Sequence, residues 1–335
     1  MVDPIKTSLC ALVVGALALP ATAQDTPTLT VYTYDAFAAD WGPGPQLKAG
    51  FEEQCGCTLD IVATDSSIGS LRRAQLEGDS TKADIILGLD TATIGEGMAT
   101  GLFAEHGLDL PDLDIPLDWS DPVFVPFDYG YFAFVYDAQE LSTPPSSFEE
   151  LIALPDDFKI VIQDPRASTP GLGLVLWIKA LYGDDALSVW EGLAPHILTV
   201  TNGWSESYDL FLAGEADMVL SYTTSPAYHV VAEGEDRYRA AKFDAGHYTQ
   251  IEVAGILASS PHQDLAQQFL AYLVSPAAQA AIPETNWMYP VTEPEGGLDE
   301  GFDAMIDPDP ALLLDADTVT ANTRAWIDEA FSALR

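Results

Sequence analysis

Residues able to do chemistry gather just beyond several strand-like runs of this sequence. Tyr34-Asp35, with Trp41 shortly after, follows Leu29–Tyr34, and Ser66-Ser67 follows Leu59–Ala63. Ser168-Thr169-Pro170-Gly171 follows Lys159–Gln163, and Tyr222-Thr223-Thr224-Ser225-Pro226 follows Met218–Tyr222. In open α/β sheets ligands bind outside the carboxyl ends of the strands, so the four groups are expected to converge on one cleft. Each alone is more simply read as a turn or a helix cap.

Two recognition chemistries are on offer. Ser168-Thr169-Pro170 and Thr224-Ser225-Pro226 resemble helix starts, with a hydroxyl residue at the N-cap and proline in the first turn. The unpaired N–H groups and helix dipole at such a start suit an anion such as phosphate, although plain capping explains the same pattern. Trp41, Trp204, Tyr222, Tyr228 and Trp287 fall in loops or at element starts, where ring faces can stack on flat heterocycles and attract cations by about 0.5–2 kcal/mol each. Trp177 and Trp190 lie inside predicted helices and are read as packing.

Parts for catalysis are few. The sequence has no Gly-x-Ser-x-Gly elbow, no His-Glu-x-x-His pair and no phosphate-binding Gly-x-x-x-x-Gly-Lys loop. It has five His and no Cys after position 57, so a nucleophile with its base is hard to assemble. Cys55-Gly56-Cys57 could close a tight disulfide or stay reduced; two thiols without a His cluster make a poor metal site.

The elements that must position these residues alternate. Strand Leu29–Tyr34, helix Gln46–Gln54, strand Leu59–Ala63, a helix around Leu71–Glu77 capped by Asp65 or Ser66, and strand Ala83–Leu89 imply parallel βαβ units. Phe124–Tyr136, an aromatic run broken by Asp128 and Gly130, is too long for an ordinary strand and is expected to cross between two lobes. A second βα series follows, then a strand His247–Leu257, a helix Gln263–Val274 and a last helix from about Thr318 to Leu334. The expected fold is therefore α/β with two lobes, each a mostly parallel sheet flanked by helices. Residues 24–123 and 245–335 are assigned to the first lobe and 124–244 to the second.

Residues 1–23 read as an export signal, with Lys6, the apolar run Leu9–Leu19 and small residues Ala21-Thr22-Ala23 before the cut, which predicts an exported protein. The formal net charge is -39, and no Lys or Arg occurs between Lys82 and Lys159. Such a field repels phosphate backbones and argues against nucleic acid as a partner, while it attracts cations. Acidity as a solubility adaptation is the plainer explanation.

With these residues in place, the sequence resembles the periplasmic thiamine-binding proteins of bacterial ABC importers. The likeness is carried by LTVYTYDAFAADWGPGP (29–45), FVPFDYGYFAFVYD (124–137), QDPRASTPGLGL (163–174), GWSESY (203–208), VLSYTTSPAYH (219–229) and NWMYPV (286–291). It implies the type II periplasmic binding protein fold, with ligand contacts at Ser168, Thr169, Trp204, Tyr222, Thr223, Thr224 and Ser225, and also at Tyr34, Trp41, Tyr228 and Trp287. It implies a further contact at Ser66-Ser67, where the family carries an acidic residue followed by Gly; neighbouring Asp65 could restore the charge. The implied ligands are thiamine, thiamine phosphate and thiamine diphosphate, the implied partners an ABC permease with its ATPase, and no cofactor or metal is called for.

Three other readings stay open on the residues. An iron-binding protein of related fold would use adjacent tyrosines, and there is no Tyr-Tyr pair. A thiaminase-like enzyme would need a cleft cysteine. A polyamine carrier would suit an aromatic, acidic cleft equally well.

Overall fold

The computed structural model describes residues 26–334, so the expected export signal lies outside the described residues. Strands β1 (Thr28–Tyr34), β2 (Thr58–Thr64) and β3 (Ile85–Asp90) alternate with helices α1 (Gly44–Cys55) and α2 (Ser67–Glu77). β1 lies between β2 and β3 and is parallel to both, the arrangement that needs a helical crossover at each step. Leu29, Val31, Leu59 and Leu87 are buried with Phe51 of α1 in one apolar core. Cys55 and Cys57 are disulfide-bonded where α1 ends, and Gly56 between them takes a left-handed φ of +61°.

The long aromatic run forms β4 (Phe124–Asp137), buried along almost its whole length. Its first half, Phe124–Tyr131, pairs antiparallel with β9 (His247–Ile256), and its second half, Phe132–Tyr136, pairs antiparallel with β7 (Met218–Tyr222). β7 and β6 (Ile197–Thr201) flank β5 (Ile160–Gln163) in parallel, and β8 (Tyr238–Ala240) covers the far end of β4. The strand order is β2-β1-β3-β9-β4-β7-β5-β6. Two parallel triplets are thus joined through an antiparallel pair, β4 and β9, and β4 makes the expected crossing.

Helices α3 (Thr169–Tyr182), α4 (Ala186–Leu193) and α5 (Trp204–Leu212) pack on the second triplet. Trp177 and Trp190 are buried there, as read from their mid-helix positions, with Trp177 donating its indole N–H to the Gly246 carbonyl at 2.9 Å. Helix α6 (Gln263–Leu273) returns to the first core, where Phe269 meets Phe51 edge-on.

β10 (Tyr289–Pro290) pairs with β4, and β11 (Ala311–Leu312) pairs with the His247 end of β9, carrying the chain across. Helix α7 (Ala316–Ala333) then buries Val319, Ile327 and Ala330 in the second core, and Glu329 pairs with Lys179 of α3 at 2.8 Å. Within the expected first-lobe segment 245–335, the apolar face of α7 thus packs on α3 and α4. No helix among the described residues is long and apolar enough to cross a membrane.

Candidate functional site

A cleft of about 670 Å³ opens between the two groups of elements, beyond the carboxyl ends of β1, β2, β5 and β7. Tyr34 ends β1, Ser66 and Ser67 open α2, Ser168 and Thr169 open α3, Trp204 opens α5, and Tyr222 ends β7; all line the cleft. Ser225, Tyr228, Trp41 and Trp287 join them from turns and loops.

Thr223 and Thr224 do not. The Ser225 hydroxyl accepts the Tyr222 N–H at 3.1 Å, closing a turn that tucks the two threonines into the interior. Thr223 gives its N–H to the Tyr131 carbonyl at 2.8 Å, and Thr224 Oγ1 lies 3.9 Å from Met288 Sδ. Both are wholly buried behind the wall, outside the cleft lining that the other expected contact residues share.

The aromatic wall is held from behind. Trp204 donates its indole N–H to Ser221 Oγ at 2.7 Å and stacks on Tyr208, with ring centroids 4.9 Å apart. The Tyr208 hydroxyl sits 3.0 Å from His229 Nε2, and His229 Nδ1 lies 2.7 Å from Glu233, which also accepts the Tyr228 hydroxyl at 2.9 Å. Fixing rings in this way before ligand arrives lowers the ordering cost of binding. Trp287 follows a π-helical turn, Ile282–Asn286, at φ +56°, the one positive φ outside glycine among the described residues. A bulky residue held there is strained, a condition that clusters at ligand clamps.

The two long helix starts differ. Ser66 is a working N-cap, accepting the Gly69 N–H at 3.2 Å. Ser168 occupies the N-cap position of α3, with Pro170 in the first turn, but its side chain makes no capping bond, leaving the hydroxyl to the cleft. Ser225 precedes only a three-residue helical turn.

The floor of the cleft holds residues the motif reading missed. Glu252 lines it, and in register Glu252 of β9 pairs with Asp90 of β3 on one side and Asp128 of β4 on the other. The Tyr34 hydroxyl donates to Glu252 at 2.9 Å, Gln250 Nε2 donates to its other oxygen at 2.8 Å, and Asn286 Nδ2 donates to Asp128 at 2.6 Å. Burial raises Asp128 to about 8 against the Asn286 hydrogen bond, and raises Asp90 to about 6 against the bonds from Thr93 and nearby backbone. Burial, with the charge of Asp128 next, holds Glu252 well above the usual carboxylate range. Tyr34 and Tyr222 are pushed up by the same burial and the same carboxylates. Gln250 and Glu252 occupy alternate positions of β9, hence one face, but polar His247 and Thr249 in the same strand leave that face without a distinct mark in the sequence. Gly88 of β3, at φ +101°, completes the floor, since a Cβ there would lie 2.6 Å from the Tyr34 ring.

Asp35, Asp65, Asp209, Glu252 and Glu284 line the cleft, while no Lys or Arg among the described residues does. Aromatic faces over an acidic floor suit a flat, positively charged molecule. The Cys55–Cys57 pair stands apart from this lining.

Residues 26–280 match the family model described as bacterial extracellular solute-binding protein. The thiamine-binding periplasmic protein of Escherichia coli (strain K12) is 51% identical over 303 residues, covering 90% of this chain and 92% of that protein. A solved structure of a periplasmic thiamin binding protein superposes with a TM-score of 0.90 at 49% identity, covering 95% of this chain and 99% of that one. Iron-bound HitA from Pseudomonas aeruginosa shares the fold, with a TM-score of 0.74 at 18% identity over 91% of this chain and 99% of the other. The fold is that of type II periplasmic binding proteins, and with the family model spanning most of its length the chain belongs to the bacterial extracellular solute-binding proteins.

Proposed function

We propose that this protein works in the periplasm, captures thiamine between its lobes without altering it, and passes it to an ABC permease and its ATPase. The observation that carries the reading is the pairing of fixed aromatic faces, Trp204, Tyr222 and Trp287, with the buried carboxylate of Glu252 beneath them. Thiamine presents a permanently cationic thiazolium and a flat aminopyrimidine, which these two features complement. The likeness to thiamine-binding periplasmic proteins over nine-tenths of the chain supports the same ligand.

Thiamine phosphate and thiamine diphosphate belong to the proposal through Ser168 and Thr169. With no basic side chain in the lining, a phosphate there would rely on backbone N–H groups and hydroxyls. The proposed lobes are residues 24–123 with the segment returning after 245, and residues 124–244, on which α7 leans.

A thiaminase-like reaction is disfavoured because the two cysteines after the export segment are bonded to each other and outside the lining. Calorimetry with thiamine, spermidine and ferric citrate, followed by mass spectrometry of the recovered ligand, tests the reading. Saturable binding of intact thiamine is expected. Saturable spermidine binding with no thiamine binding, or recovery of cleaved thiamine, would overturn it.

A further inference from the structure

We infer that Glu252 is the residue that selects a positively charged ligand, and that the Glu252–Asp128 pair holds a proton in the empty cleft and releases it when a cation enters. The inference deepens the proposed function and rests on it for the choice of ligand.

The geometry is a row of three carboxylates on adjacent strands, Asp90 on β3, Glu252 on β9 and Asp128 on β4, in register with one another. All three are at least nine-tenths buried. The groups that face them from the surrounding elements are neutral: Tyr34 from β1, Thr93 after β3, Gln250 of β9, Tyr222 of β7 and Asn286 before Trp287. No Lys, Arg or His among the described residues makes an ion pair with any of the three. Neighbouring strands stand about 5 Å apart, so like charges on them repel strongly at the reduced dielectric of a buried site. The donors present also leave gaps: Asp128 Oδ1 and Gln250 Oε1 are buried without a partner.

The oxygens do not converge as a metal cage would require. Asp90 Oδ1 is taken by Thr93, Asp128 Oδ2 by Asn286, and the two oxygens of Glu252 by Tyr34 and Gln250. What remains is a floor that opens to the cleft at Glu252 alone of the three. A cation arriving there supplies the missing counter-charge. The carboxyl O–H bond then breaks, its electron pair stays on the carboxylate, and the proton passes to buffer. A ligand that places no positive charge at the floor gives no reason for the proton to leave, so the same row of acids discriminates by the charge of the group seated on it. The pH range in which the empty pair holds its proton, up to about 8 at Asp128, spans neutrality.

The test is a proton count on the unmodified protein. Calorimetric titration at pH 7 in two buffers of different ionisation enthalpy is expected to show net release of up to about one proton per thiamine, and affinity that strengthens by up to about tenfold per pH unit between pH 6 and 8. The uncharged aminopyrimidine alcohol that forms half of thiamine should bind, if at all, with no proton release. Glu252→Gln should weaken thiamine by roughly 10- to 100-fold and abolish the release, the size expected for losing hydrogen bonding to a charged group. Trp204→Ala should lose affinity but keep the proton count. Cation binding with no proton exchange and a pH-independent affinity overturns the inference while leaving thiamine capture standing. If thiamine is silent and spermidine binds with proton release, the choice of ligand falls and the role of Glu252 stands. Failure of both cations to bind defeats both.

Discussion

Trp287 and Tyr228 approach from different lobes and meet edge-on, with ring centroids 5.4 Å apart and planes at 71°. Trp287 is carried by the segment that packs into the first core through Ile282 and Met288, whereas Tyr228 follows the turn after β7 of the second. Both rings line the cleft, so their contact joins its two walls.

Replacing Trp287 or Trp204 by Ala should weaken thiamine and thiamine diphosphate alike, by about 0.5–2 kcal/mol for each ring removed, because both ligands share the rings. Fluorescence or calorimetric titration measures this. Trp287→Gly should lose ligand equally, yet unfold about 1 kcal/mol later than Trp287→Ala, because only Gly relieves the left-handed backbone at φ +56°. Equal stability of the two variants would show that the backbone relaxes without cost.

Ser66 and Ser168 should separate capping from binding. Ser66→Ala removes a formed cap and should cost about 1 kcal/mol of stability, while Ser168→Ala removes none and should leave urea midpoints near wild type. Ser168→Leu should harm thiamine diphosphate more than thiamine, because it obstructs the N–H donors at the start of α3. Equal loss for the two ligands would refute the assignment of that helix start to phosphate.

The buried carboxylates predict the pH dependence of folding. Asp128 titrates near 8 when folded, well above the 3.8 of a free aspartate, so between these values the folded state binds the extra proton. Stability without ligand should therefore fall as pH rises from about 4 to about 8. Asp128→Asn should flatten that slope whatever its effect on stability at a single pH. Urea titrations at pH 5, 7 and 8.5 check it, and an unchanged slope would assign the effect elsewhere.

The Cys55–Cys57 bond closes a loop with one intervening residue, so it constrains the unfolded chain little. Cys55→Ser with Cys57→Ser should cost no more than about 1–2 kcal/mol and leave ligand affinity intact, the bond being outside the cleft. Thermal melting and calorimetry on the double variant measure both.

Much of this architecture was legible in sequence because local pattern and tertiary outcome agree. The β-branched and aromatic run at Leu29–Tyr34 became a buried strand, and the unusual length of the run from Phe124 marked the strand shared by both lobes. Ser147, three residues before Glu150, caps the short helix Phe148–Ile152 as such a spacing favours, accepting the Glu150 N–H at 3.1 Å. What the sequence did not reveal depended on direction rather than type. Thr223 and Thr224 follow a strand just as Ser66 and Ser67 do, but the Ser225 turn points them inward. Glu252 was hidden because a strand buried on both faces reads as core, and only its register with Asp90 and Asp128 reveals a floor. The packing of α7 was illegible because which of two apolar cores receives an amphipathic helix is settled by distant partners.

β4 and β9 run unbroken through the middle of the molecule, so opening the cleft flexes a hydrogen-bonded ribbon instead of swinging a slack tether. The ribbon has two irregular points, where pairing slips between Leu87 and Leu89 on the β3 side and between Pro126 and Asp128 on the β4 side. Both lie just to the Val253–Ala254 side of Glu252, next to the crowded carboxylates. Bending concentrated there would change the spacing of those carboxylates, because the irregular part of the ribbon adjoins the acidic floor.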